Sequence, residues 1–415
     1  MPGSVEFWFD FSCPYAYLAA QRLDYLEART GAHIELCPFL LGGVFRSLEV
    51  PQNLMAAQSP AKVRHNALDL QRHARSYGVP FEMPAEHPRR TVDALRVLLA
   101  APEPSRRALM HDIFTAYWVR GWDVADRGVL QTILAGQGLE GPALLERIGH
   151  EDVKADLRAR TERALERGVF GAPAFVVDGE LYWGHDRMDM VESALGGAPT
   201  CPFPEVRSER LRPVEVWFDY SSPFAYLGVN AARARLGSAV RWRPMLLGAV
   251  FKAIGQANVP MSTFSEPKRR YYLRDIQRQA EAIGVPFRLP ENFPINSVPA
   301  LRLTLAAQAR GDDPWPLIER IYRAVWDEGR DISDLGVLEG LAEEVAPEPE
   351  VLVDMVQDAD IKQALRTATE AALAEGAFGA PTYVVHRADG RKSLYFGVDR
   401  LPLAAQAAAG HSAVY

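Results

Sequence analysis

Residues 4–10, Ser-Val-Glu-Phe-Trp-Phe-Asp, form a β-branched and aromatic run that predicts a buried strand. From Tyr15 the apolar positions Tyr15, Leu18, Ala19, Leu23 and Leu26 recur at helical spacing, and Gly31 supplies a stop. A short strand is predicted at His33–Pro38. A long stretch of helical pattern follows, including Lys62–Ser76, Val92–Leu99, Arg106–Tyr117 and Asp152–Arg167. Ala174–Val177 and Leu181–Trp183 then flank Asp178-Gly179, a pair suited to positive φ, and predict a hairpin. A last helix starts near Asp186. Strand, helix, strand, helical insert, hairpin and helix together predict an α/β unit with helices packed on a sheet.

The pattern then repeats. Val5 to Leu18, with Phe9-Asp10-Phe11-Ser12-Cys13-Pro14 at its centre, returns as Val214 to Leu227, with Phe218-Asp219-Tyr220-Ser221-Ser222-Pro223. Pro38-Phe39-Leu40-Leu41-Gly42 returns as Pro244-Met245-Leu246-Leu247-Gly248. Tyr77-Gly78-Val79-Pro80-Phe81 returns as Ile283-Gly284-Val285-Pro286-Phe287. Gly168-Val169-Phe170-Gly171-Ala172-Pro173 returns as Gly376-Ala377-Phe378-Gly379-Ala380-Pro381. Four blocks in one order at a nearly constant offset imply an internal duplication. The boundary falls in the structure-breaking run Gly196 to Pro204, followed by the charged connector Glu205 to Arg212. This predicts a first domain at 1–198, a linker at 199–212 and a second domain at 213–410.

The chain has 415 residues, a length at which single cores usually divide, and its 48% hydrophobic and 24% charged content is that of a soluble globular protein. A net charge of −7 with no basic block argues against a nucleic-acid partner. No apolar run is long enough for a membrane span, and the first residues carry no signal-peptide pattern. Cys13, Cys37 and Cys201 are too few and scattered for a disulfide framework, so a cytoplasmic location is expected. The nine histidines show no metal-ligand spacing, and no metal is expected; Gly-x-Gly-x-x-Gly, Walker and His-Glu-x-x-His motifs are absent.

Cys13 and Ser222 share one position, the junction of first strand and first helix, with Pro at the first helical residue. The side chain there faces free N–H groups and the positive end of the helix dipole, which favour a thiolate. The plain alternative is helix capping, which suits Ser222 better than Cys13. Pro173 and Pro381 follow Phe-Gly-Ala and enter the hairpins, where a plain edge proline is the alternative to a ligand-binding one. Asp186 and Asp399 are placed to cap the final helices, a role compatible with receiving a ligand ammonium group. Trp118, Trp122, Trp315 and Trp326 lie in helical segments and are expected in the core, the alternative being that some line an aromatic-substrate pocket.

Phe-Asp-Phe/Tyr-Ser-Cys/Ser-Pro-Tyr/Phe-Ala-Tyr-Leu, Phe-Gly-Ala-Pro and Gly-x-Asp-Arg together resemble 2-hydroxychromene-2-carboxylate isomerases and the related kappa-class glutathione transferases. The resemblance implies two thioredoxin-like, DsbA-like domains, each with a helical insertion. It implies glutathione as cofactor and a small aromatic molecule as substrate. Ser222 would stabilise the glutathione thiolate, with Asn258, Lys268 and Asn296 of Pro294-Ile295-Asn296-Ser297 near the ligand. Ala380 and Pro381 would form the cis-proline loop that pairs with the peptide backbone, and Asp399 would hold the γ-glutamyl end.

The first copy departs from this pattern. Cys13 replaces Ser, and Arg90 in Pro88-Arg89-Arg90-Thr91 stands where Asn is expected, while Asn53, Lys62, Ala172, Pro173 and Asp186 keep the family's positions. The Ser222 half is therefore the expected glutathione site. The implied isomerisation is reversible thiol addition, ring opening, bond rotation and elimination. A conjugating transferase uses the same site. A dithiol oxidoreductase lacks its second cysteine, because Ala16 and Ala225 hold that place, although Cys13 leaves a mixed disulfide open. A non-catalytic glutathione-binding scaffold is the third alternative. The resemblance also implies a pseudo-dimer within one chain, with higher oligomers left open.

Overall fold

The structure is a computed structural model that describes residues 3–198, 211–411 and 414–415, so Cys201 and residues 199–210 of the expected linker lie outside the described residues. Among the described residues there are two four-stranded sheets. The first is ordered β2-β1-β3-β4, from β1 (Ser4–Phe9), β2 (His33–Pro38), β3 (Ala174–Val177) and β4 (Glu180–Trp183). The second is ordered β6-β5-β7-β8, from β5 (Val214–Phe218), β6 (Val240–Pro244), β7 (Thr382–His386) and β8 (Lys392–Phe396). In each sheet the opening strand runs parallel to its neighbour across the first helix and antiparallel to the first hairpin strand. These are two mixed-sheet α/β units of one design.

β1 has Val5, Phe7, Trp8 and Phe9 all fully buried, which explains a near-continuous hydrophobic run instead of strict alternation. The β3–β4 turn is built on Asp178 and Gly179 at φ of 49° and 81°, the backbone that this dipeptide favours. Trp118 and Trp326 are fully buried, their indole N–H groups donating to the Phe11 and Tyr220 carbonyls at 2.9 and 3.0 Å. They close the core under the opening turn.

Some local expectations change: Trp122 lies beyond the helix Arg106–Trp118, and both it and Trp315 are half-buried instead of in the core. The predicted first helix is two helices, Pro14–Ala20 and Leu23–Thr30, because the Arg22 N–H bonds back to Ala19 in a tightened three-residue turn. Its counterpart Pro223–Leu236 is unbroken. Asp186 and Asp399 do not cap the last α-helices. A 3₁₀ turn, His185–Arg187 or Val398–Arg400, intervenes, so Arg187 and Arg400 precede the helices Met188–Ala194 and Leu401–Ala408.

By internal packing the chain forms two units. One comprises Met1–Ala57, Leu70–Pro202 and Ser265–Tyr271; the other comprises Gln58–Asp69, Phe203–Phe264 and Tyr272–Tyr415. The packed units therefore exchange short segments relative to the sequence copies. Residues 58–69 open the helix Pro60–Tyr77, and residues 265–271 open the helix Glu266–Ile283. Among the described residues, no helix is long and apolar enough to cross a membrane.

Candidate functional site

In the second unit the β5 strand ends at Phe218, and Ser222 caps the helix Pro223–Leu236. Ser222 is buried, and its Oγ accepts from the Ala225 N–H at 3.1 Å while its hydroxyl donates to the Ala380 carbonyl at 3.4 Å. The capping role is thus present, and the same hydroxyl faces the peptide group that precedes Pro381. The Ala380–Pro381 bond is cis, as is Ala172–Pro173. His87–Pro88 and Phe293–Pro294 are also cis, at the two Pro-x-Asn/Arg segments of the inserts.

Glycines bring this loop close. A Cβ on Gly379 would lie 2.5 Å from the Phe396 ring, and one on Gly228 would lie 2.4 Å from the Pro381 ring. Gly228 also accepts, through its carbonyl, a bond from the Tyr383 hydroxyl at 3.3 Å. Tyr383 is completely buried, and burial, with the Asp399 carboxylate adding to it, holds its pKa far above the ordinary phenol value. The helix, the cis-proline loop and β7 are therefore locked together behind Ser222.

Asp219 is the residue that sequence reasoning quoted without giving it a role. Its carboxylate is fully buried and accepts from the Ser221 N–H at 2.9 Å, the Leu247 N–H at 2.7 Å and the Ser297 side chain. Three loops meet there: the Ser222 turn, the start of the helix Leu247–Ala253, and the Asn296-Ser297 entry to the helix Val298–Arg310. Burial raises the Asp219 pKa, with the hydrogen bonds opposing it. The signal was available, since the Asp recurs as Asp10 in an otherwise apolar run.

The other expected residues divide. Asn258 is exposed, with its Oδ1 2.7 Å from where a Gly248 Cβ would stand. Asn296 is exposed beside Ser297, and its Oδ1 accepts from the Val298 N–H at 3.3 Å. Asp399 lies within 3.1 Å of the Arg400 Nη1, and Arg400 also holds both oxygens of Asp69 at 2.8 Å. Lys268 falls in the other packed unit, with its Nζ 5.7 Å from the centre of the Trp183 ring.

In the first unit Cys13 occupies the same backbone position but behaves differently. Its Sγ makes no cap bond and donates to the Ala172 carbonyl at 3.0 Å. Burial pushes the thiol pKa up to about 12, outweighing the Ala16 and Tyr15 N–H groups that favour the thiolate. The expected helix-end activation of Cys13 is present and loses to desolvation. Asp10 repeats the clamp, accepting from Ser12, Leu41 and, at 2.6 Å, Thr91. Arg90 is exposed. Asn53 turns back on its own loop, accepting from the Ala56 N–H, and Gln52 takes the place over Gly42 that Asn258 takes over Gly248. Ala172 precedes cis-Pro173, and Asp186 pairs with Arg187 at 3.0 Å. Lys62 lies in the segment that packs with the second unit.

The architecture and the cis-proline loop facing a helix start define a thioredoxin-type unit carried twice. The chain belongs to the family of the DSBA-like thioredoxin domain, whose profile matches residues 4–196 and 213–409. Two named relatives carry the likeness further. The 2-hydroxychromene-2-carboxylate isomerase of Sphingobium xenophagum is 30% identical over 47% of this chain and 99% of its own length. Glutathione S-transferase kappa 1 of Rattus norvegicus is 29% identical over 51% of this chain and 98% of its own. A solved 2-hydroxychromene-2-carboxylate isomerase structure is 28% identical, covering 46% of this chain and 94% of that one, with a TM-score of 0.42. These relatives make the protein an enzyme of the isomerase or transferase kind.

Proposed function

We propose that the protein is a glutathione-dependent isomerase of a 2-hydroxychromene-2-carboxylate-like aromatic substrate, working from the Ser222 half. The observation that carries this reading is the Ser222 hydroxyl, set at the start of a 14-residue helix and against the carbonyl that precedes cis-Pro381. The donor set fits glutathione: a hydroxyl and helix-end N–H groups suit a thiolate, and the Asp399 carboxylate suits an ammonium. Bound glutathione would supply a thiol that adds to the conjugated double bond and leaves again after ring opening and rotation, so that it is regenerated.

This chain's residues would bind, orient and stabilise. Ser222 would turn its hydroxyl proton from the Ala380 carbonyl to the sulfur, holding negative charge there before addition and after elimination. Ala380 would offer its peptide group to the cysteinyl backbone as an added strand does. Asp399 would anchor the γ-glutamyl ammonium, and Asn258 and Asn296, exposed at the two flanking loops, would contact the rest of the ligand. Asp219 would keep those loops in register.

A conjugating transferase is the second reading, supported by the kappa-class relative. The two part on stoichiometry. Spectroscopic isomerisation of a 2-hydroxychromene-2-carboxylate is expected to need glutathione in catalytic amount only. Consumption of one glutathione per product, with a stable thioether formed, would replace isomerase by transferase. Turnover unaffected by removing glutathione would sink both.

A further inference from the structure

Behind the cysteine and serine turns the two cores differ in one consistent respect. Phe11, Phe114, Phe175 and Leu98 of the first unit stand where the second has Tyr220, Tyr322, Tyr383 and Thr304, and all eight are fully buried. Packing establishes the correspondence. Between ring centres, Phe114 lies 4.9 Å from Phe11, 5.8 Å from Phe9 and 6.0 Å from Tyr17. Tyr322 lies 4.7 Å from Tyr220, 6.0 Å from Phe218 and 5.7 Å from Tyr226. Phe175 and Tyr383 each come second after a cis-proline, and Leu98 and Thr304 each come seventh in the helices Val92–Ala100 and Val298–Arg310.

Each added hydroxyl has a partner. The Tyr220 hydroxyl bonds Thr304 Oγ1 at 2.6 Å, and Thr304 donates to the Ala300 carbonyl at 3.1 Å. The Tyr322 hydroxyl donates to the Asp219 carbonyl at 3.1 Å, the same oxygen that accepts the Ser222 N–H at 3.1 Å. In the first unit the Asp10 carbonyl accepts the Cys13 N–H at 3.1 Å, and Phe114 has nothing to donate to it. The Tyr383 hydroxyl reaches the Gly228 carbonyl at 3.3 Å, and a Cβ on Gly228 would stand 2.6 Å from that hydroxyl. The first copy has Ala19 there and no hydroxyl to accommodate. Burying a hydroxyl costs free energy that a phenylalanine in the same ring space does not. The second unit therefore carries polarity that its fold does not require, on the backbone segments that hold Ser222.

We propose that Tyr322 and Tyr383 are positioning residues of the Ser222 site, holding the serine turn and the cis-proline loop in register around the glutathione sulfur. This rests on the glutathione reading above. Tyr322 acts on the turn, since a second bond on the Asp219 carbonyl fixes the peptide to which the Ser222 N–H is tied. Tyr383 acts on the loop, tying the strand that follows cis-Pro381 to the helix that Ser222 begins. Neither touches the ligand. Burial keeps both phenols protonated, and so keeps them donors, at neutral pH.

The test is substitution by the first unit's own residue, Tyr322→Phe and Tyr383→Phe, in the full chain. The thiolate absorbance of bound glutathione is followed against pH, with kcat and KM measured separately. Tyr322→Phe is expected to raise the apparent pKa of the bound thiol by about one unit and to lower kcat about tenfold, leaving the glutathione KM within about twofold. Tyr383→Phe is expected to act in the same direction to a smaller extent, its bond being the longer. Tyr226→Phe is the control: it removes a hydroxyl bond to the Pro286 carbonyl that recurs as Tyr17 to Pro80, and is expected to leave the bound thiol pKa in place. An unshifted pH profile for Tyr322→Phe, whatever its melting temperature, would overturn the assignment, as would an equal shift from Tyr226→Phe. Absence of any Ser222-dependent thiolate signal in the unsubstituted chain would instead overturn the glutathione reading itself.

Discussion

The Cys13 and Ser222 turns have nearly the same backbone, with φ and ψ of −98° and 115° at one and −101° and 118° at the other. Each side chain sits at a helix start with Pro next, and each reaches the carbonyl before a cis-proline. Yet Ser222 also caps its helix, whereas Cys13 keeps a protonated thiol with a pKa raised to about 12. A helix N-terminus does not by itself make a thiolate. Its N–H groups favour the anion, but a sulfur sealed from solvent loses more in hydration than they return.

The two halves differ most at Cys13. With a pKa near 12 against an ordinary 9.0, its thiolate population at neutral pH is lower by roughly a thousandfold, and alkylation in the folded chain is expected to slow accordingly. Alkylation at the rate of a free thiol would reverse the contrast. The same shift links to stability with a definite sign. The folded state prefers the thiol, so the Cys13 contribution is complete below pH 9 and is lost as pH rises toward 12. Cys13→Ala should flatten the decline in melting temperature within that window, and an unchanged pH profile would count against the buried thiol.

Asp219→Ala comes next. It strips the part-buried Ser221 and the buried Leu247 N–H groups of their acceptor and should lower unfolding free energy by about 3 kcal/mol, measured by urea titration. Asp10→Ala should cost a similar amount, since Asp10 ties Ser12, Leu41 and Thr91 together. Only the Asp219 change is expected to weaken glutathione binding as well. Equal binding losses from both would erase the asymmetry between the halves.

Ser222→Ala should lower glutathione-dependent turnover about a hundredfold while costing only about 1 kcal/mol of stability, the ordinary worth of a helix cap. Undiminished kinetics would remove Ser222 from the reaction. Calorimetry sharpens the same point: one glutathione per chain is expected, and two would make the Cys13 half a second site. The smallest effect is local. Gly228→Ala presses a methyl into the Pro381 ring and should cost about 1–2 kcal/mol, read as a lower melting temperature, whereas the first copy already carries Ala19 at that place.

Much of this molecule is legible in local pattern. The β1 run, the Asp178-Gly179 turn and the four repeated blocks each depend on neighbours a few residues away, so the chain alone displays them. The break at Arg22 was not legible, because helical spacing on both sides is preserved. Asp219 was visible as a recurring acid in an apolar setting, but its partners Leu247 and Ser297 lie in other blocks. Arg400 and Asp69 are 331 residues apart, and neither looks unusual where it stands.

The duplication, the sheet-forming segments, the Pro-led helix starts and the Cys-for-Ser difference are set by residue identity and short-range spacing, so the chain displays them unfolded. Folding is what seals Cys13 as a thiol, gathers three loops on each of Asp10 and Asp219, and packs residues 58–69 with the second unit. Burial and long-range partners depend on what the rest of the chain brings to a residue, and no local pattern carries that.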